Sequence, residues 1–142
     1  MSAIRWIAPR TARIAAPLFA ALMTFTFVPL AAGAQAAWTA PERAAKRANP
    51  VASTADVVAK GHQFFTRECE KCHGKAGHGD GPDAKTLDPR PADFSSENVQ
   101  GQSDGALFWK MTQGKGMMPT APFGENDKWT VIAFIRTLAV KK

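Results

Sequence analysis

Five residues, Cys69-Glu70-Lys71-Cys72-His73, constrain this 142-residue chain more than any other segment, because they hold both of its cysteines. C-x-x-C-H is the attachment pattern for a covalently bound haem. Two thiols at this spacing can add to the two vinyl groups on one porphyrin edge and form thioethers. His73, the next residue, is then close enough to place an imidazole nitrogen on the iron from one face. Three other uses of the pair are weaker. A disulfide within C-x-x-C closes a very small loop and stabilises little. A thioredoxin-type pair needs a βαβ setting, and the chain shows no such alternation. Structural zinc wants four Cys or His ligands in two spaced pairs, and the second pair is absent.

The chain is long enough for one domain, and residues 1–36 read as a cleaved signal peptide. Arg5, Arg10 and Arg13 form a basic start without acidic residues. Ala15 to Leu30 is almost wholly apolar, and small residues follow through Ala34 and Ala36. This is the n-region, h-region and A-x-A order of an exported precursor. Cleavage after Ala36 is the first choice and after Ala34 the second. An uncleaved membrane anchor is the alternative, but Pro17 and Pro29 bound an apolar run shorter than the roughly 20 residues a span requires. Export implies the periplasm, with the protein soluble or loosely membrane-associated. Losing the three arginines takes the net charge from +6 to +3. Nucleic-acid binding therefore has no support, and docking by charge must come from a local patch.

The mature chain is small for a self-sufficient core. A buried porphyrin would supply much of the missing apolar contact, making folding and cofactor retention one problem. Residues 37–52, rich in Ala, Pro and charge, read as a flexible N-terminal extension. The domain proper is expected over 53–142. A first helix begins at Ser53 or Thr54 as N-cap, carries Asp56 in its first turn and runs into Cys69. Its positions Val57, Val58, Gly61, Phe64 and Phe65 recur at helical spacing. Gly61 costs about 1 kcal/mol there relative to Ala, which close approach by another helix would explain. The Gly- and Pro-rich stretch 74–94 is a long loop. A second helix runs from Ser103 as N-cap to Gly114 as C-cap. The last spans about 126–139, with Val131, Phe134, Ile135 and Leu138 on one face and Trp129 and Ile132 widening it. Lys141 and Lys142 lie just past its end, where positive charge is favourable. The expectation is an all-α domain of three to four helices with two long loops.

A haem iron held by one histidine has a second face, closed by another side chain for electron transfer or left open for a small molecule. Met117 and Met118 lie in a Gly- and Pro-bounded loop, where a methionine packs no amphipathic face. One of them is the expected second ligand. Met111, on the second helix, reads as core. His62 and His78 read as ordinary polar residues and not as ligands. Lys75, Lys85, Lys110 and Lys115 are either solvated or arranged to steer an acidic partner.

Four further stretches resemble the monohaem class I cytochromes c, especially small bacterial ones. Gly79-Asp80-Gly81-Pro82 after Cys72-His73-Gly74 is similar to that family's G-D-G-P element. Leu87-Asp88-Pro89-Arg90-Pro91-Ala92-Asp93-Phe94 resembles its L-x-P-x-P-A-D-hydrophobic stretch. Gly114-Lys115-Gly116-Met117-Met118-Pro119 resembles its ligand loop, and Trp129 to Leu138 its closing helix, with Phe134 and Arg136 in place. The resemblance covers about 53–140. It implies the class I cytochrome c fold wrapped around one covalent haem c, with His73 and Met118 as axial ligands and Met117 as the alternative to Met118. It implies that the Pro82 carbonyl accepts a hydrogen bond from His73, and that Gly61 and Phe65 meet Phe134 where first and last helices cross. The chain lacks tyrosine, so Arg90 and Trp109 become the candidates for haem-propionate contacts.

The function these readings support is exported single-electron transfer by a carrier and not an enzyme. Its partners are redox proteins met by weak, transient docking. No nucleic acid or small-molecule substrate is expected, and membrane contact only through a partner or an uncleaved signal. One alternative is a dedicated cytochrome subunit of a periplasmic dehydrogenase or oxidase complex. Another is an open-iron haem sensor or peroxidase-like protein.

Overall fold

The computed structural model describes residues 38–140. The signal-peptide reading of 1–36 and the charges at Lys141 and Lys142 lie outside them. The described residues form six α-helices and no strand: α1 (Glu42–Ala45), α2 (Ala55–Glu68), α3 (Glu70–His73), α4 (Glu97–Gln100), α5 (Asp104–Gln113) and α6 (Glu125–Thr137). A single 3₁₀ turn spans Ala84–Thr86. The three long helices α2, α5 and α6 are those expected from the sequence. The one-turn helices α1, α3 and α4 are too short to display an apolar period.

Local chemistry sets the ends of the long helices. Thr54 accepts the Val57 N–H on its hydroxyl at 3.3 Å, which starts α2. Ser103 does the same for Ala106 at 3.2 Å, which starts α5. Gly114 then stops α5 with φ 66°, a left-handed conformation that glycine adopts without Cβ strain. Arg136 on α6 donates to Asp104 at 2.7 Å and to the Gln100 carbonyl at 2.9 Å, tying the closing helix to the start of α5.

Helices α2 and α6 cross at Gly61. A Cβ there would lie 2.3 Å from the Thr130 carbonyl oxygen and 2.9 Å from the Phe134 Cβ. The missing side chain is what lets the two backbones meet, offsetting the helix-propensity cost of glycine. Phe65, fully buried, packs one turn further on against Phe134 with ring centroids 5.1 Å apart. A second layer of core comprises Val99, Leu107, Phe108, Met111, Phe123, Trp129, Val131, Ile132 and Ile135. Phe108 and Trp129 stack within it at 4.1 Å.

The N-terminal extension departs from expectation. Over its described part, 38–52, it is packed as a strap on α5 and α6. Gly105 permits this: a Cβ there would lie 2.3 Å from the Ala44 carbonyl oxygen. Ser103 donates to the Ala45 carbonyl at 2.6 Å, and Asn49 to the Trp129 carbonyl at 3.2 Å. Arg47 pairs with Glu125 and lays its guanidinium 4.6 Å from the Phe108 ring centre. Composition alone suggested solvated chain because the complementary surface lies far away in sequence.

Candidate functional site

Helix α2 delivers the cysteines. It ends at Cys69, whose N–H still donates to the Phe65 carbonyl at 2.8 Å, and α3 begins at once. Cys69 and Cys72 are free thiols, each half-buried. Burial first, then the Glu68 carboxylate and Cys72, push the Cys69 thiol up to about 12.

The glycine loop after His73 folds back onto α3 and caps it. Gly79 donates to the His73 carbonyl at 2.8 Å, Gly81 to Cys72 at 3.2 Å and Asp83 to Lys71 at 3.1 Å. These bonds satisfy carbonyls that a one-turn helix leaves orphaned. They also hold the C-x-x-C-H turn in one conformation from below.

His73 is buried, with 9% of its surface exposed. Its Nδ1 lies 3.0 Å from the Ala92 carbonyl oxygen. A carbonyl only accepts, so the proton sits on Nδ1, and Nε2 keeps the lone pair that a metal requires. Burial lowers the imidazole below its ordinary pKa, with the Ala92 bond opposing, so the ring is neutral at physiological pH. Phe94 stacks on it at 4.2 Å with planes 15° apart.

The expected acceptor, Pro82, is corrected by this geometry. Pro82 is exposed in the loop that caps α3. The carbonyl that meets the imidazole comes instead from the second stretch, where Phe94 donates to the Gly77 carbonyl at 2.7 Å and draws residues 92–94 across the ring. Gln100 secures that stretch from the other side, donating to the Phe94 carbonyl at 2.6 Å and the Ile135 carbonyl at 3.0 Å. Ala92 and Phe94 are therefore site residues that the sequence reading did not single out, because their role depends on which distant backbone crosses the ring.

The methionine loop is a tight turn. Lys115 N–H donates to the Met118 carbonyl at 2.9 Å, and Met118 N–H to the Lys115 carbonyl at 3.0 Å. Gly116 and Met117 occupy the corners, and Met117 is 72% exposed. Met118 is half-buried at the base. Beyond it, Ala121 donates to the Met111 carbonyl at 2.9 Å, returning the loop to α5. Met111 itself is core, as expected.

Arg90 is exposed in the stretch before Ala92, and Trp109 is half-buried against Trp38 of the strap at 6.4 Å. Among the described residues, two buried side-chain polar atoms lack a hydrogen-bond partner, Thr112 Oγ1 and Trp129 Nε1. Buried donors are normally satisfied. An apolar core with orphaned donors suits a flat apolar group that carries acidic margins. With a lone-pair nitrogen on His73 and two free thiols beside it, the residues present fit a haem. His62 lies on α2 beside Phe134, with ring centroids 4.8 Å apart, and His78 pairs with Asp93 at 3.2 Å.

Comparison with known proteins agrees with this geometry. The cytochrome c family model matches residues 58–139. Among solved structures, a chain of the Kuenenia stuttgartiensis reducing HAO-like protein complex is similar at 23% identity and TM-score 0.52. That similarity covers 63% of this chain and 47% of the other, so this chain matches less than half the length of that one. No curated protein sequence matches. The match over 58–139 contains the attachment motif, the imidazole-gripping stretch, the methionine loop and the closing helix, and the chain belongs to the cytochrome c family.

Proposed function

We propose that this protein is an exported single-electron carrier whose one haem is attached through Cys69 and Cys72 and ligated by His73 and Met118. The observation that carries the reading is His73: buried, neutral, protonated on Nδ1 by its bond to Ala92, with Nε2 left as a donor to iron. Bound haem supplies a one-electron Fe(III)/Fe(II) couple, and two protein ligands let it cycle with little rearrangement. The residues' task is to orient the ring, keep water from it and set its basicity. Met118 is favoured over Met117 because the latter projects at the tip of the turn while Met118 is half-buried and pinned on both backbone groups.

Spectroscopy of the wild type, Met117→Ala and Met118→Ala in both redox states tests this. Wild type and Met117→Ala should keep the weak far-red thioether band of the ferric state, and Met118→Ala should lose it. Prompt carbon monoxide binding by the reduced wild type would favour the open-iron alternative instead.

A second reading makes the protein a dedicated subunit of an exported redox complex. Its support is that the similar solved chain belongs to a complex. The strap 38–52 is engaged with its own domain, so it is not the free tether such a reading would use. Co-purification of a stoichiometric partner from periplasmic extract tests it.

A further inference from the structure

Beside the residues that contact His73 lies a hydrogen-bonded cluster that touches neither cysteine nor the imidazole. Asp93 accepts three hydrogen bonds on one carboxylate oxygen: from the Ser95 N–H at 2.8 Å, from the Ser95 hydroxyl at 2.7 Å and from His78 Nδ1 at 3.2 Å. The Asp93 carbonyl accepts as well, from the Ser96 hydroxyl at 2.6 Å. Ser95, having donated its hydroxyl proton to Asp93, lies 3.3 Å from His78 Nδ1 as a second acceptor. His78 belongs to the glycine loop that caps α3, whereas Asp93 and Ser95 belong to the stretch that crosses the imidazole. The cluster therefore joins the two segments that surround His73.

Its place in the chain gives it leverage. Asp93 sits between the two residues that grip the ring, with Ala92 supplying the carbonyl at 3.0 Å and Phe94 the stacked face at 4.2 Å. A carboxylate-anchored turn fixes residue 93 and so restrains rotation of the 92–93 peptide that presents the Ala92 carbonyl. We propose that Asp93, braced by Ser95 and His78, is the positioning residue for the axial imidazole: it holds the 92–94 backbone so that His73 keeps one ring orientation and a strong Nδ1–H donor bond. The proposal rests on His73 being an iron ligand. Partners in this position orient a metal-bound imidazole and raise its basicity, and their loss commonly weakens a metal site 10- to 100-fold. A more basic imidazole favours Fe(III), so loosening the clasp must raise the reduction potential.

The test uses the haem-loaded full protein and four variants, Asp93→Ala, Asp93→Asn, Ser95→Ala and Asp127→Ala. Asp127 on α6 pairs with Lys60 on α2 at 2.9 Å and serves as a control for simple loss of an ion pair. Asp93→Ala should shift the Fe(III)/Fe(II) equilibrium about tenfold towards Fe(II), about 59 mV for one electron. It should also speed exchange of the His73 Nδ1 proton and spread the paramagnetically shifted ring signals. Asp93→Asn, which keeps an acceptor for Ser95, should lie between Ala and wild type, and Ser95→Ala, a milder change if Asp93→Ala folds poorly, should follow the same direction. Asp127→Ala should leave potential and exchange unchanged. Unchanged potential and exchange in both Asp93→Ala and Ser95→Ala, with haem bound, would overturn the clasp alone. A wild type that takes up no covalent haem would overturn the carrier reading and the clasp with it.

Discussion

The two sides of the site are built differently. The histidine side is bonded at every level: α3 is capped by the glycine loop, the imidazole bonds Ala92 and stacks on Phe94, and Gln100 ties that stretch to α6. The methionine side is a two-bond turn with an exposed tip, returned to the core by one further bond at Ala121. The contrast suggests a division of labour. His73 is held by contacts within the polypeptide itself, whereas the methionine loop is held by few.

The largest effects should come from breaking the organised side. Cys72→Ser with Cys69→Ser, or His73→Ala alone, should abolish stable haem binding, read as loss of the covalent haem mass or of the low-spin spectrum. Met118→Ala should leave haem attached and the His73 Nδ1–H signal in place while opening the iron to carbon monoxide. An equal collapse of both sides on losing Met118 would remove the asymmetry.

Next in size is Gly61→Ala, which forces a Cβ to within 2.3 Å of the Thr130 carbonyl and separates the helix that carries Cys69 from α6. Overpacking against backbone should cost about 3 kcal/mol, seen as a lowered unfolding midpoint in denaturant. A variant as stable as wild type would mean that α2 is not held by this crossing.

Trp129→Phe sharpens the comparison at a smaller scale. If its buried Nε1 meets an acidic margin of the haem, the holoprotein should lose about 1–3 kcal/mol, because a partner is then left unsatisfied. A neutral or stabilising result in chemical denaturation would show that the nitrogen is unpartnered with the cofactor in place.

The smallest effect concerns pH. Hydrogen bonds from Ser95 first, with a smaller contribution from His78, hold the Asp93 carboxyl below its ordinary 3.8. A group with a depressed folded pKa contributes stability above its unfolded value and loses it as pH falls through the folded one. The stability gap between wild type and Asp93→Ala should thus shrink as pH falls below about 4, measured by urea unfolding at stepped pH. A gap that widens on acidification would reverse the sign.

How legible the molecule was depends on how local each determinant is. Thr54, Ser103 and Gly114 were readable as helix ends because a cap is made within three or four residues of chain. Gly61 was readable as a puzzle, a costly residue in a helix interior, and the resemblance to a known family supplied Phe134 as its partner. Cys69, Cys72 and His73 were readable as one unit because haem attachment demands that spacing. The strap was not readable, since Ala44 and Gly105 are complementary only after α5 is in place. Nor was the acceptor for His73: Pro82 and Ala92 are both backbone carbonyls in proline-rich loops, and nothing in either side chain announces which one crosses the ring.

The sequence by itself therefore determined the three long helices, the C-x-x-C-H unit and the presence of a methionine loop, because these follow from side-chain chemistry at short range. Only the tertiary structure decided that Ala92 and Phe94 grip the imidazole, that residues 38–52 brace α5, and that Met118 and not Met117 is sheltered. Those outcomes depend on which distant backbone segments come within hydrogen-bonding distance. Long-range packing settles that, and no local pattern of residue types encodes it.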